Sequence, residues 1–171
     1  ENASDIGLKA ARKALADAGM EPAELTHVIA ATCTPDVLSP SVACIIAGQL
    51  GVGPVMAFDF GAACSGFLYA LSVADKFIRC GDAKKVLVIG AETLTRIIDW
   101  SDRTTCVLFG DGAGAVVLVA DGDTGILSTH LHADGSKKEL LWTPTGVSSG
   151  FGDGVGSSGT IKMKGNDVFK Y

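Results

Sequence analysis

Three short apolar runs of strand length, separated by residues at helical spacing, limit what this chain can fold into. They are His27 to Cys33, Pro54 to Phe60 (PVMAFDF) and Lys85 to Ala91 (KVLVIGA). The third is almost unbroken, the pattern of a strand covered on both faces of a parallel sheet. Segment 3–18 reads as an amphipathic helix, with Ile6, Ala10, Ala14 and Leu15 on one face and Gly19 as its C-cap. A second helix is expected over 41–50, closed by Gly51, and a third from Ser65 through Asp75. Ala113 to Ala120 and Gly125 to Ala133 read as further strands, the last with enough alternation to be antiparallel. Helix and strand alternating at these lengths mean a layered α/β fold.

Composition narrows the function classes. With 171 residues and 47% hydrophobic content the chain can bury a real core and suits one domain. No apolar run approaches the ~20 residues of a membrane-spanning helix, so no membrane partner is expected. The formal charge of −5, with Lys84-Lys85 and Lys137-Lys138 too short to track phosphates, argues against nucleic acid. Five cysteines, an odd number, include no C-x-x-C pair and follow no visible signal peptide. A reducing, cytoplasmic setting fits that usage.

One cysteine has a distinctive setting. Cys64 stands where the second apolar run ends, after the small-residue turn Gly61-Ala62-Ala63 and before a helical pattern. A thiol at the first turn of a helix faces unpaired backbone N–H groups and the positive end of the helix dipole, which favour thiolate. Ala62-Ala63-Cys64-Ser65-Gly66 is similar to the sharp elbow on which hydrolases present a nucleophile. The same spacing also suits a small residue filling a strand–helix joint. Cys33 reads as a strand-end residue, Cys44 as lying on the inner face of its helix, and Cys80 as sitting at a helix C-terminus. Cys106 is enclosed by Thr105, Val107 and Leu108.

Other motifs carry less. Gly154 to Gly159 matches G-x-G-x-x-G by letter but sits in a Gly/Ser-rich loop over 146–159, without the strand and helix that a dinucleotide site needs. Gly110-Asp111-Gly112 leads into a strand and is read as a tight turn with positive φ. His130 and His132 share one face of an expected strand; without a further ligand cluster they read as structural, with a metal pair or a base for Cys64 as the rivals. Glu1 enters a helix almost at once, and 165–171 looks like a helix start that stops. The chain is therefore expected to be cut at both ends.

Five strings occur in order: Ala62 to Phe67 (AACSGF), Asp99 to Arg103 (DWSDR), Leu108 to Ala115 (LFGDGAGA), His130 to Gly135 (HLHADG) and Lys164 to Lys170 (KGNDVFK). Together they closely resemble the β-ketoacyl-[acyl carrier protein] synthase III family of the thiolase superfamily. The likeness covers nearly the whole chain, which looks like most of the first half of a pseudo-symmetric enzyme. It implies a five-layered αβαβα fold in the complete protein, and a homodimer.

The resemblance also implies roles. Cys64 matches the cysteine that takes an acyl group from acyl-CoA, after which malonyl-acyl carrier protein loses CO₂ and its carbanion attacks the thioester. The family's catalytic His and Asn belong to the second half; His130 and His132 do not match them. Arg103 matches an arginine that stacks on the CoA adenine, beside Thr104, where many members have Gly. Leu94, Phe109 and Leu141 match positions around the acyl pocket and also read as plain core. Ser39 matches a position reaching the partner subunit's acyl pocket, where several members carry Phe. No cofactor or metal is implied, because acyl-CoA and the carrier protein are substrates. Two rivals remain: another condensing enzyme of the superfamily, such as a polyketide starter synthase, and a non-catalytic assembly partner.

Overall fold

The computed structural model describes residues 1–122, 125–148 and 159–171. The chain divides into two compact units, Glu1–Glu92 with Gly112–Leu131, and Thr93–Asp111 with His132–Tyr171.

The first unit is built on a sheet of β1 (His27–Ala31), β2 (Met56–Phe60), β3 (Lys85–Thr93) and β4 (Asp111–Val119), in the order β2-β1-β3-β4. β1 is parallel to both neighbours, with Ala31 level with Phe60 on one side and Gly90 on the other. The Ala120 N–H reaches the Lys84 carbonyl at 3.1 Å, so the end of β4 lies beside the start of β3. Side chains of a strand alternate between faces, and both central strands are apolar on each. Val28 and Ala30 of β1, with Leu87, Ile89 and Ala91 of β3, face α1 (Ala3–Asp17) and α2 (Val42–Leu50). Ile29 and Ala31, with Val86 and Val88, face α3 (Gly66–Arg79). Two-sided burial is why these runs are continuous in the sequence. The layered α/β expectation holds.

Small residues set how closely the helices sit. The buried stripe of α1 is Ala3, Gly7, Ala11 and Leu15, with Ser4 beside it. Of the expected face, Leu15 belongs to this stripe, while Ile6, Ala10 and Ala14 flank it half-buried. The reason is steric. A Cβ on Gly7 would come within 2.9 Å of Ile46 Cδ1, so α1 and α2 touch where α1 has no side chain. The same device recurs in α3, whose Gly66, Ala70 and Ala74 repeat every four residues against the sheet.

Other expectations need correction. Cys44 is exposed, because the buried face of α2 is Val42, Ala43, Ile46 and Ala47 and residue 44 points away from it. Residues 125–133 form no strand, and no neighbouring strand pairs with them among the described residues. Gly110 and Gly112 do not adopt positive φ, since β4 already begins at Asp111. Gly51 does close α2 in the left-handed conformation, at φ 71°. Gly19, at φ 62°, follows the Ala18 C-cap of α1. Most of the 146–159 loop, and with it nearly all of the G-x-G-x-x-G string, lies outside the described residues. No helix among the described residues is long and apolar enough to cross a membrane.

The second unit holds a short antiparallel pair, β5 (Leu141–Trp142) with β6 (Lys162–Met163), followed by the single-turn α4 (Gly165–Val168). Ile161 N–H donates to the Ile97 carbonyl at 2.7 Å, tying that pair to the segment after β3.

Candidate functional site

Cys64 lies in a 3-10 turn, Ala63–Ser65, wedged between the end of β2 and the start of α3. It precedes Ser65, the N-cap of α3, so it stands just ahead of the helix's first turn rather than within it. The turn is tight. Ala63 has φ 45°, the left-handed region that costs a residue with a Cβ roughly 1–2 kcal/mol. Backbone strain of that kind persists only where surrounding contacts impose it, and it collects at reactive sites. Two glycines let α3 begin so abruptly. A Cβ on Gly66 would lie 3.3 Å from Ala31 Cβ, and one on Gly90 would lie 3.3 Å from the Phe67 ring. In this chain the Cys64 residue is exposed.

The loop after β1 comes alongside. Thr32 N–H donates to the Phe60 carbonyl at 3.3 Å, continuing the parallel ladder one step past β1. Glu92, near the C-terminal end of β3, then accepts the Cys33 N–H at 2.7 Å and the Thr34 hydroxyl at 2.7 Å. The Cys33 thiol is pushed up to about 11, first by the desolvating protein around its sulfur and then by the Glu92 carboxylate. The residue as a whole keeps open surface, so the upward direction rests most firmly on that neighbouring anion. Cys33 lies just past β1 and Glu92 near the end of β3, between which the strand order reverses; open α/β sheets place ligands in such crevices.

Sequence reasoning passed over Glu92, and read Cys33 only as a strand-end residue. The available signal was a lone acid closing an apolar strand. Asp59 gave the same signal inside PVMAFDF, and its carboxylate caps α2 through Val42 N–H at 2.7 Å and Ala43 N–H at 2.8 Å.

Ser39 is exposed on the loop between β1 and α2. That loop is anchored by Asp36, which accepts the Ser4 N–H at 2.9 Å and the Ser4 hydroxyl at 2.6 Å.

Arg103, Thr104, Leu94, Phe109, Leu141 and His132 belong to the second unit, and His130 to the first. Arg103 is exposed on a turn shaped by two carboxylates. Asp99 accepts the Ser101 N–H and hydroxyl, while Asp102 accepts the Thr104 N–H at 2.9 Å and hydroxyl at 2.6 Å, and the Thr105 hydroxyl at 2.8 Å. The Thr104 and Thr105 hydroxyls, followed by the Thr104 N–H, hold the Asp102 carboxyl below its ordinary value. Thr104 thus spends its hydroxyl on the turn. Leu94 is half-buried in the turn after β3, and Phe109 is half-buried before β4. Asp111 accepts the Thr95 N–H at 2.9 Å and hydroxyl at 2.8 Å, bringing those two segments together. Leu141 is exposed on β5. His130 and His132 are exposed, and His130 Nε2 lies 3.2 Å from Ser128 Oγ. No group of three or more His, Cys, Asp or Glu suited to a metal occurs among the described residues.

This geometry has close relatives. Residues 58–135, from β2 through Cys64 and α3 to beyond β4, match the family of 3-oxoacyl-[acyl-carrier-protein (ACP)] synthase III. β-Ketoacyl-[acyl-carrier-protein] synthase III of Xanthomonas campestris pv. campestris is 65% identical over 171 residues, 100% of this chain and 53% of the relative. The chain is similar to the first half of β-ketoacyl-[acyl-carrier-protein] synthase III. Its fold agrees. The crystal structure of 3-oxoacyl-[acyl-carrier-protein] synthase III from Aquifex aeolicus superimposes with a TM-score of 0.88 at 48% identity, over 99% of this chain and 52% of that one. The priming β-ketosynthase of the R1128 polyketide biosynthetic pathway gives 0.86 at 34% identity, over 99% and 51%. The fold is thus the first half of a thiolase-like architecture, and the chain spans about half the length of the curated relatives it matches.

Proposed function

We propose that the protein to which this chain belongs is an acyltransferase that initiates fatty-acid synthesis, with Cys64 as its nucleophile. The observation that carries this reading is the strained Ala63–Ser65 turn, which presents Cys64 between a parallel strand and a helix in a chain 65% identical to a β-ketoacyl synthase III. Cys64 sulfur attacks the carbonyl of an acyl-CoA, the CoA thiolate leaves, and a thioester remains. Backbone N–H groups at the turn donate to the oxyanion that forms on the way. Malonyl-acyl carrier protein then loses CO₂, and its carbanion displaces Cys64 from the thioester to give a β-ketoacyl-carrier protein. A His and an Asn of the second half stabilise the enolate, as the family resemblance implies.

Arg103 stacks on the CoA adenine, a use suited to a planar, weakly hydrated cation, and the Asp102 carboxylate sets the turn that carries it. Leu94, Phe109 and Leu141 border the acyl chain, with Ser39 entering from the partner of a homodimer. The enzyme works in the cytoplasm with acyl carrier protein and needs no resident cofactor.

The likeness to a polyketide priming enzyme supports a second reading, condensation onto a polyketide starter. Identity of 65% to a named β-ketoacyl synthase III, against 34% to that enzyme, favours fatty-acid initiation. The test is incubation of the intact protein with acetyl-CoA and malonyl-acyl carrier protein. One acyl mass on the Cys64 peptide, followed by acetoacetyl-carrier protein, supports the reading. Acylation of another residue, or no ketoacyl product, overturns it.

A further inference from the structure

Cys33 and Cys64 follow the C-terminal ends of neighbouring parallel strands, which are joined at that edge by the Thr32 N–H and the Phe60 carbonyl. Gly66, two residues past Cys64, packs on Ala31, two residues before Cys33: a Cβ on Gly66 would lie 3.3 Å from Ala31 Cβ, so the two cysteines flank one contact. The Cys33 backbone is pinned by Glu92 at 2.7 Å. Both cysteines are exposed in this chain, and acyl transfer has no use for a second thiol.

We propose that Cys33 is the resolving thiol of Cys64: when a peroxide oxidises the nucleophile, the two close a Cys33–Cys64 disulfide that blocks acylation until a thiol reduces it. This rests on the reading that Cys64 is the reactive thiol. The chemistry balances. Cys64 thiolate attacks one oxygen of hydrogen peroxide, the O–O bond breaks, and the sulfur becomes a sulfenic acid as hydroxide leaves to form water. Cys33 sulfur then displaces the sulfenic hydroxyl. The S–S bond forms, and the hydroxide departs as water with the Cys33 proton, which the adjacent Glu92 carboxylate accepts and relays. Two thiols lose two electrons and two protons, and the peroxide is reduced to two waters. Burial and the Glu92 carboxylate hold the Cys33 thiol protonated near neutral pH.

The test oxidises the intact protein with hydrogen peroxide, digests it without reductant and maps the linked peptides. A Cys33–Cys64 pair is expected, together with loss of acyl-CoA labelling that dithiothreitol restores. Cys33→Ser under the same oxidation should carry two added oxygens on Cys64, a sulfinic acid, and stay inactive after dithiothreitol. Cys64 linked to Cys44, Cys80 or Cys106 overturns the proposal. So does equal recovery by both proteins, or sulfinic acid forming equally fast on Cys64 in each. Acylation of the unoxidised protein is measured alongside. Acyl label away from Cys64 refutes the proposed function, whereas normal Cys64 acylation without the disulfide refutes only this inference.

Discussion

Asp59 Oδ2 lies 2.7 Å from the Val42 amide nitrogen, so a carboxylate on β2 closes the N-terminus of α2 from the neighbouring strand. Its other oxygen takes the Ala43 N–H at 2.8 Å, and Ser41 Oγ takes that of Cys44 at 3.2 Å. Asp59→Ala removes two acceptors and leaves the serine cap. Replacing an N-terminal cap by Ala costs about 0.5–2 kcal/mol, and this one should fall at the upper end because it satisfies two donors. Urea unfolding of the intact protein should show a lower midpoint with an unchanged slope. An unmoved midpoint would mean that the Ser41 cap suffices.

Cys64→Ser should abolish acyl-enzyme formation and condensation, since an alcohol near neutral pH is a far weaker nucleophile than a thiolate. Intact-mass measurement after incubation with an acyl-CoA reads the first step alone. The fold should persist, because the residue is exposed and contributes little packing.

Arg103→Ala should weaken the CoA-dependent step by roughly 5–30-fold, or on the order of 1–2 kcal/mol, while sparing turnover of enzyme already acylated. Asp102→Ala should act in the same direction, since it frees Thr104 and Thr105 and unsettles the turn. Its carboxyl is held below the ordinary 3.8. The stabilising charge is therefore complete above pH 3.8 and is lost only as pH falls through the lower folded value. A carboxyl titration by NMR checks that sign.

The Cys33 thiol, raised from an ordinary 9.0 to about 11, binds its proton more tightly in the folded state. The associated stability is complete below pH 9 and disappears as pH rises toward 11. Iodoacetamide labelling of Cys33 should rise over that same window. Glu92→Gln removes the neighbouring anion and should move the labelling midpoint down toward 9.0. An identical profile in both proteins would assign the whole shift to desolvation.

Ser39→Phe should shift primer preference toward acetyl-CoA, because a phenyl group would occupy space that now admits several methylenes, each worth about 0.8 kcal/mol when buried. The comparison is the ratio of kcat/KM for acetyl-CoA to that for a longer or branched acyl-CoA. An unchanged ratio would assign pocket length to other residues.

The layered α/β fold was legible because two-sided burial writes itself into the chain. Val28 to Ala31 and Val86 to Ile89 must be apolar at every position when helices cover both faces. Cys64 was legible for a related reason, since a sharp strand–helix turn requires small neighbours, and Gly61 to Ala63 with Gly66 supply them. Contacts distant in sequence were not legible. Glu92 reaches Cys33 across 59 positions, Asp59 reaches Val42 across 17, and Asp36 reaches Ser4 across 32. No local period encodes which carboxylate serves which amide. The pairing of β1 with β3 brings Glu92 to Cys33, while α2 against β2 brings Val42 to Asp59 and α1 against the loop before α2 brings Ser4 to Asp36. The strand expected over 125–133 failed for the same reason: alternation gives a segment the capacity to pair, but a strand exists only where a neighbour supplies the other half of its hydrogen bonds.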